Sequence, residues 1–180
     1  LILNYLFGNY REALENGAIA ERYLEGTKGS ILVAQFYFYY SLAGLSAYNS
    51  ISEKERKIIL KKIMGNQKKL KHRACHCPAN FLHEYYLLEA ELRRILGHNP
   101  GDYYDMAIQY AGQSEFIHEE AIANELTGKF YLTKGNREKS TVYLKNARYC
   151  YERWGAVIKV RDVDEKYRDI LVKKIYSEKS

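Results

Sequence analysis

Residues Gly128–Tyr151 read GKFYLTKGNREKSTVYLKNARYCY. With Gly135 as a turn, Gly128 and Tyr131 lie seven and four residues before it, and Ser140, Leu144 and Ala147 lie five, nine and twelve after it. Small residues thus fall where two helices would touch, and larger ones where the space between them must be filled. A left-handed turn residue flanked by two such runs predicts an antiparallel helix pair.

The same offsets recur upstream. GNYREALENGAIAERYL places Gly8 at the turn and Ala13, Gly17 and Ala20 at the positions of Ser140, Leu144 and Ala147. Gly101 lies 34 residues before Gly135 and marks a third turn, although Met106, Tyr110 and Gln113 fit its offsets poorly. This is tetratricopeptide spacing. It predicts an all-α chain, a right-handed array of antiparallel helix pairs, divided as 1–28 (partial repeat), 29–77 (expanded repeat), 78–114, 115–155 and a capping segment, 156–180. Counting back from Gly8, Leu1 falls halfway along a helix, so the natural chain is expected to continue upstream. Asp162–Tyr176 reads as a charged terminal helix covering the last pair.

Helix punctuation runs through the chain. Ser52–Glu55 (SEKE) is a capping box, and Asp162–Glu165 (DVDE) reads as a second N-terminus. Pro78 suits a first helical turn, Asn99–Asp102 (NPGD) closes one helix and opens another, and Gly155 after Trp154 suits a helix end. Ile31–Gly44 (ILVAQFYFYYSLAG) carries strand-favouring residues, but a lone strand has no partner here, so a buried helix is expected. Its aromatics Phe36–Tyr40 then belong to the core rather than to a ligand box.

Composition narrows the function. Of 180 residues 47% are hydrophobic and only two are proline, which argues against disorder. No apolar run reaches eighteen residues, so no membrane span is expected. Three cysteines, Cys75, Cys77 and Cys150, do not make a disulfide framework, and a cytoplasmic setting is the expectation. Net charge is +6, concentrated at Ser52–Arg73, where nine Lys/Arg face two Glu. Without a stacking platform or recognition-helix motif, that run reads as a solvated helix face, and nucleic acid is not an expected partner.

The densest chemistry is His72–His83, HRACHCPANFLH. His72, Cys75 and His76 share one helical face, and Cys77 or His83 would be a fourth ligand. A closed zinc site needs two separated half-sites, and here there is one, because Cys77 turns off the face and Pro78 redirects the chain. The stretch reads instead as a seam between helices, with Lys71, His72 and Arg73 at the negative end of a dipole and the cysteines packing like alanine. HEEAIANE (His118–Glu125) lacks the second histidine of a zincin helix. His118 and Glu119, being adjacent, are not expected to pair, and Glu119, Glu120 and Glu125 read as first-turn charge and inter-helix hydrogen bonding. No phosphate loop or nucleophile elbow occurs, so no catalytic residue, metal or cofactor is assigned.

Several strings also resemble a known family. DYYDMAIQYAGQSEFIHEEAIANELTGKFYLTKG (Asp102–Gly135) and YLKNARYCYERWGAVIKVRDVDEKY (Tyr143–Tyr167) look like the helical region of large bacterial hybrid kinases, common in cyanobacteria. YLFGNYREALENGAIAERYLEG, FYFYYSLAGLS and CPANFLHEYYLLEAEL match that region in order, and EEAIANEL, KFYL and YCYERWGA are its most specific pieces. Those proteins carry a serine/threonine-kinase-like domain, an AAA-type ATPase, helical repeats, a GAF sensor and a histidine kinase. The resemblance implies a non-catalytic scaffold and relay just before the sensor, whose partners are adjacent domains or another protein. It implies structural roles for Asn80, His83, Glu89 and Glu91, for Glu120, Asn124 and Glu125, and for Trp154. Members commonly have Ala or His where this chain has Cys75 and Cys77, which weakens a metal reading. An independent adaptor holding a peptide in a concave groove is the alternative; a metal protein centred on His72–His83 ranks third.

Overall fold

The computed structural model describes residues 1–27 and 30–171. Among them the chain is helical, with no strand: α1 (Ile2–Leu6), α2 (Tyr10–Glu21), a 3-10 turn (Leu24–Thr27), α3 (Ile31–Ala47), α4 (Glu53–His76), α5 (Pro78–Ile95), α6 (Gly101–Gln113), α7 (Ile117–Thr133), α8 (Arg137–Arg153), α9 (Val157–Lys166) and α10 (Arg168–Leu171). No helix among the described residues is long and apolar enough to cross a membrane. The chain divides into two compact units, Leu1–Tyr110 and Ala111 onward, with the boundary inside α6.

In the first unit α3 packs against α2, α4 and α5. Phe36, Phe38, Tyr39 and Tyr40 are all buried, Phe38 fully. This explains why strand-favouring residues form a helix: α3 is enclosed on several sides, and their preference is for packed surfaces rather than for a backbone state. Helix α4 runs antiparallel to α3. The Lys69 ammonium lies 4.4 Å from the Tyr37 ring centre, Asn66 donates to Ser41 Oγ at 3.1 Å, and Gly44 meets Ile59 and Ile63. Helix α4 starts at the expected capping box: Ser52 Oγ accepts from Glu55 N, and Glu55 Oε2 accepts from Ser52 N at 2.8 Å. Pro78 opens α5 as expected.

Two expectations are corrected here. Gly101 is not a turn but the first residue of α6; the left-handed turn residue is Gly97, with φ +80. Helix α6 starts four residues after that glycine, whereas α8 starts two after Gly135. Met106, Tyr110 and Gln113 therefore do not take the buried positions that Ser140, Leu144 and Ala147 hold in α8. Ala20, read as an inter-helix position, is exposed, while Ala13 and Gly17 are buried.

In the second unit α7 and α8 form the closest pair. Gly135 adopts φ +73, a conformation that costs glycine nothing, and Asn136 Oδ1 caps α8 by accepting from Lys139 N at 3.0 Å. Gly8 and Gly155 also take the left-handed turn expected of them. Tyr131 stacks on Tyr143 with ring centres 5.5 Å apart, and Ala147 is fully buried. Gly128 faces Leu144, where an added Cβ would stand 2.7 Å from Cγ.

The second N-terminus expected at Asp162 is not observed. Helix α9 begins right after Gly155, with Ala156 as its N-cap, so Asp162 lies mid-helix and accepts from Lys159 Nζ at 2.6 Å. The local DVDE pattern loses to a turn glycine already in place. Helix α9 packs antiparallel on α8 with Val160 and Val163 buried and Arg148 Nε donating to Asp164 at 2.7 Å, and Arg137 reaches the Asp169 carbonyl in α10. The expected helix through Tyr176 extends beyond Leu171, outside the described residues.

Candidate functional site

Helices α4 and α5 are antiparallel neighbours. Arg73 stands over the Phe81 ring, and Gln67 Nε2 donates to the Tyr85 carbonyl at 3.1 Å and to Glu89 at 3.2 Å. On α4, Leu60, Met64, Gln67, Lys71 and Cys75 follow one another in steps of three or four, so they share one face. On α5, Leu82, Tyr85, Glu89 and Leu92 do the same, and Leu96 follows at its C-cap.

Two clefts lie along that shared face. One, of about 500 Å³, is bounded by Lys71, Ala74 and Cys75, by Leu82, Tyr85 and Tyr86, and by Asp102, Tyr103 and Met106 of α6. The other, of about 550 Å³, lies between Leu60, Met64, Gln67 and Lys68 on α4 and Glu89, Leu92, Arg93, Leu96 and His98 beyond. Their walls are apolar and aromatic, with a polar rim of Lys68, Lys71 and the Glu89–Arg93 pair, 3.1 Å apart. Gln67 is buried, and among the described residues its Oε1 has no hydrogen-bond partner. A mostly apolar groove with a few fixed polar groups suits an extended or helical peptide.

Apart from Glu89 on the groove rim, the carboxylates singled out in the sequence are committed elsewhere. Glu91, 1% exposed, accepts from Arg94 Nη2 at 2.6 Å and from the Tyr104 hydroxyl. Burial alone would lower the Arg94 pKa, but the Glu91 carboxylate more than offsets it and raises it. Burial, and then the Glu91 charge, push the Tyr104 phenol well up. Glu89 and Glu91 thus bond between adjacent helices. His83 is buried, but Asn80 is exposed in the first turn of α5. Cys75 and Cys77 are exposed too and do not pack like alanine.

In the second unit Glu125 is the hub. It accepts from Tyr151 at 2.9 Å and Tyr167 at 3.2 Å, and pairs with Lys129 at 3.1 Å and Lys159 at 3.2 Å. Burial would raise its pKa; Lys129 and Lys159 overcome that and hold it at about 2. Burial lowers Lys166 and pushes the Tyr167 phenol up. Glu125 is therefore ionised and enclosed, which is the opposite of a general acid. Glu120 and Glu119 do occupy the first turn of α7, and Asn124 donates to the Glu120 carbonyl at 2.9 Å. His118 and Glu119 meet at 3.5 Å despite being adjacent, contrary to expectation, and His118 also stacks on Trp154. Burial, with the Glu120 carboxylate beside it, pushes the Cys150 thiol up to about 12, leaving no thiolate nucleophile at neutral pH.

Sequence reasoning missed the groove and the partners of Glu91 and Glu125. Arg94 and Lys129 were open to detection as i,i+3 and i,i+4 partners; Tyr104, Tyr151 and Lys159 come from other helices and Tyr167 from the end of α9, and they left no local signal. Comparisons with family models, with curated proteins and with solved structures find no match to this chain.

Proposed function

We propose that this chain is a tetratricopeptide-like scaffold that holds and relays between protein modules and performs no chemistry itself. The observation that carries this reading is the α7–α8 pair, where Gly128 meets Leu144 at positions the repeat spacing assigns to paired helices. The resemblance to the helical region of hybrid signalling kinases supports the relay role, between an ATPase module and a sensor–kinase module. Packed interfaces have few alternative arrangements, so a helix array transmits strain that a flexible linker would absorb. In the parent kinase the resemblance implies, exchanging this segment for a Gly/Ser linker should abolish the effect of nucleotide on autophosphorylation. An unchanged nucleotide response would leave tethering or partner binding.

A second reading, an adaptor for a protein partner, is favoured by the groove along α4 and α5. Its α4 side carries exposed Lys57, Lys61, Lys68 and Lys71, which suits an acidic segment with apolar residues at helical spacing. Selection from a random peptide-display library should enrich such sequences, and Met64→Asp with Leu96→Asp should remove the enrichment. No enrichment, or enrichment that survives both changes, would reject the groove as the binding face.

A further inference from the structure

We infer that the last turns of α4 form an open two-histidine chelate for a borderline divalent transition metal such as Zn²⁺ or Ni²⁺. This goes beyond the scaffold reading and differs from a closed structural zinc centre. His72 and His76 are both exposed, one helical turn apart, and their Nε2 atoms converge to 3.3 Å. The rings do not stack: their planes are inclined by 62° with centres 4.6 Å apart. Two metal–nitrogen bonds of about 2.0–2.1 Å at a tetrahedral angle place their donors roughly 3.3 Å apart, so the pair already stands at the separation of one tetrahedral edge. Each imidazole needs only its Nδ1–H tautomer to aim a lone pair at the ion.

Local electrostatics bear on the site from both sides. His76 is the last residue of α4, where the partial negative charge of the helix end favours a cation. Against this stand the neighbouring basic residues. The Lys69 ammonium lies over the Tyr37 ring and the Arg73 guanidinium over the Phe81 ring, where both keep their charge, and exposed Lys68 and Lys71 on the same helix add to it. No third His, Cys, Asp or Glu ligand atom lies within 4.8 Å of both imidazoles among the described residues. Water therefore completes the shell, and the site takes imidazole-seeking ions over Mg²⁺ or Ca²⁺, which prefer oxygen.

The test is titration of the full chain with ZnCl₂ and NiCl₂ by calorimetry, with MgCl₂ as the oxygen-seeking control, and imidazole ¹⁵N spectra recorded alongside. One Zn²⁺ per chain should bind and shift the Nε2 signals of His72 and His76 together. His72→Ala and His76→Ala should each weaken binding about tenfold or more, because one imidazole cannot chelate. His98→Ala and the double change Cys75→Ser/Cys77→Ser should leave it intact. Both histidines are exposed, so an unchanged helical spectrum verifies that each variant is folded. Absence of one-to-one binding, binding that survives His72→Ala, or binding lost with the two cysteines would overturn the bis-imidazole site.

Discussion

Glu125→Ala should destabilise the chain by roughly 3–5 kcal/mol at neutral pH, the size expected when one partner is removed from a buried ion pair. Lys159, 4% exposed, would lose one of its acidic partners while keeping Asp162 at 2.6 Å, and Tyr151 and Tyr167 would lose the carboxylate that accepts from both. Urea unfolding at constant protein concentration measures the loss. The same group gives a pH signature. Its folded pKa of about 2 lies below the ordinary value of 4.5, so the stabilisation is complete above pH 4.5 and disappears as pH falls toward 2. Such a displacement corresponds to roughly 3 kcal/mol. Glu125→Gln keeps the shape and one acceptor oxygen but cannot titrate. Its stability deficit against the natural chain should therefore shrink between pH 5 and pH 2. A deficit that stays constant through that window would assign the acid sensitivity to other carboxylates.

Gly128→Leu should destabilise by roughly 1–3 kcal/mol through overpacking. The Cβ alone would lie 2.7 and 2.8 Å from Leu144 side-chain carbons and 3.3 Å from the Leu144 backbone nitrogen. Alanine at the same position separates two effects, since it gains about 1 kcal/mol of helix propensity over glycine while meeting the same wall. Combining Gly128→Leu with Leu144→Ala should recover part of the loss but not all, because the backbone contact remains. A neutral urea midpoint for Gly128→Leu would mean that α7 and α8 do not approach each other at this residue, and the pairing register would fall with it.

The elements legible in the sequence are those set by contacts within a few residues. The Ser52–Glu55 box, Pro78 at the start of α5 and the turns at Gly8, Gly135 and Gly155 each depend on neighbours three or four positions away. A pattern of that reach can be read without knowing where the chain goes next. The same short reach explains the errors. Gly97 and Gly101 are equally good turn residues locally, and only the end of α5 at Ile95 selects the first. DVDE is a sound N-terminal signal, yet a helix already begun at Val157 runs through it.

What the tertiary structure decided is everything that needs two helices at once. The charge of Glu125 is tolerable because lysines and tyrosines drawn from α7, α8, α9 and Tyr167 surround it, up to 42 residues away in sequence. The groove along α4 and α5 is lined from both helices at once, by Leu60 and Met64 on one and by Leu82 and Leu92 on the other. His72 and His76 show the division within one motif. Their spacing puts them on one face by helical geometry alone, while the convergence of the two nitrogens depends on rotamers. Lys69 and Arg73 on the same helix lie over aromatic rings of α3 and α5, contacts that only the packed helices supply.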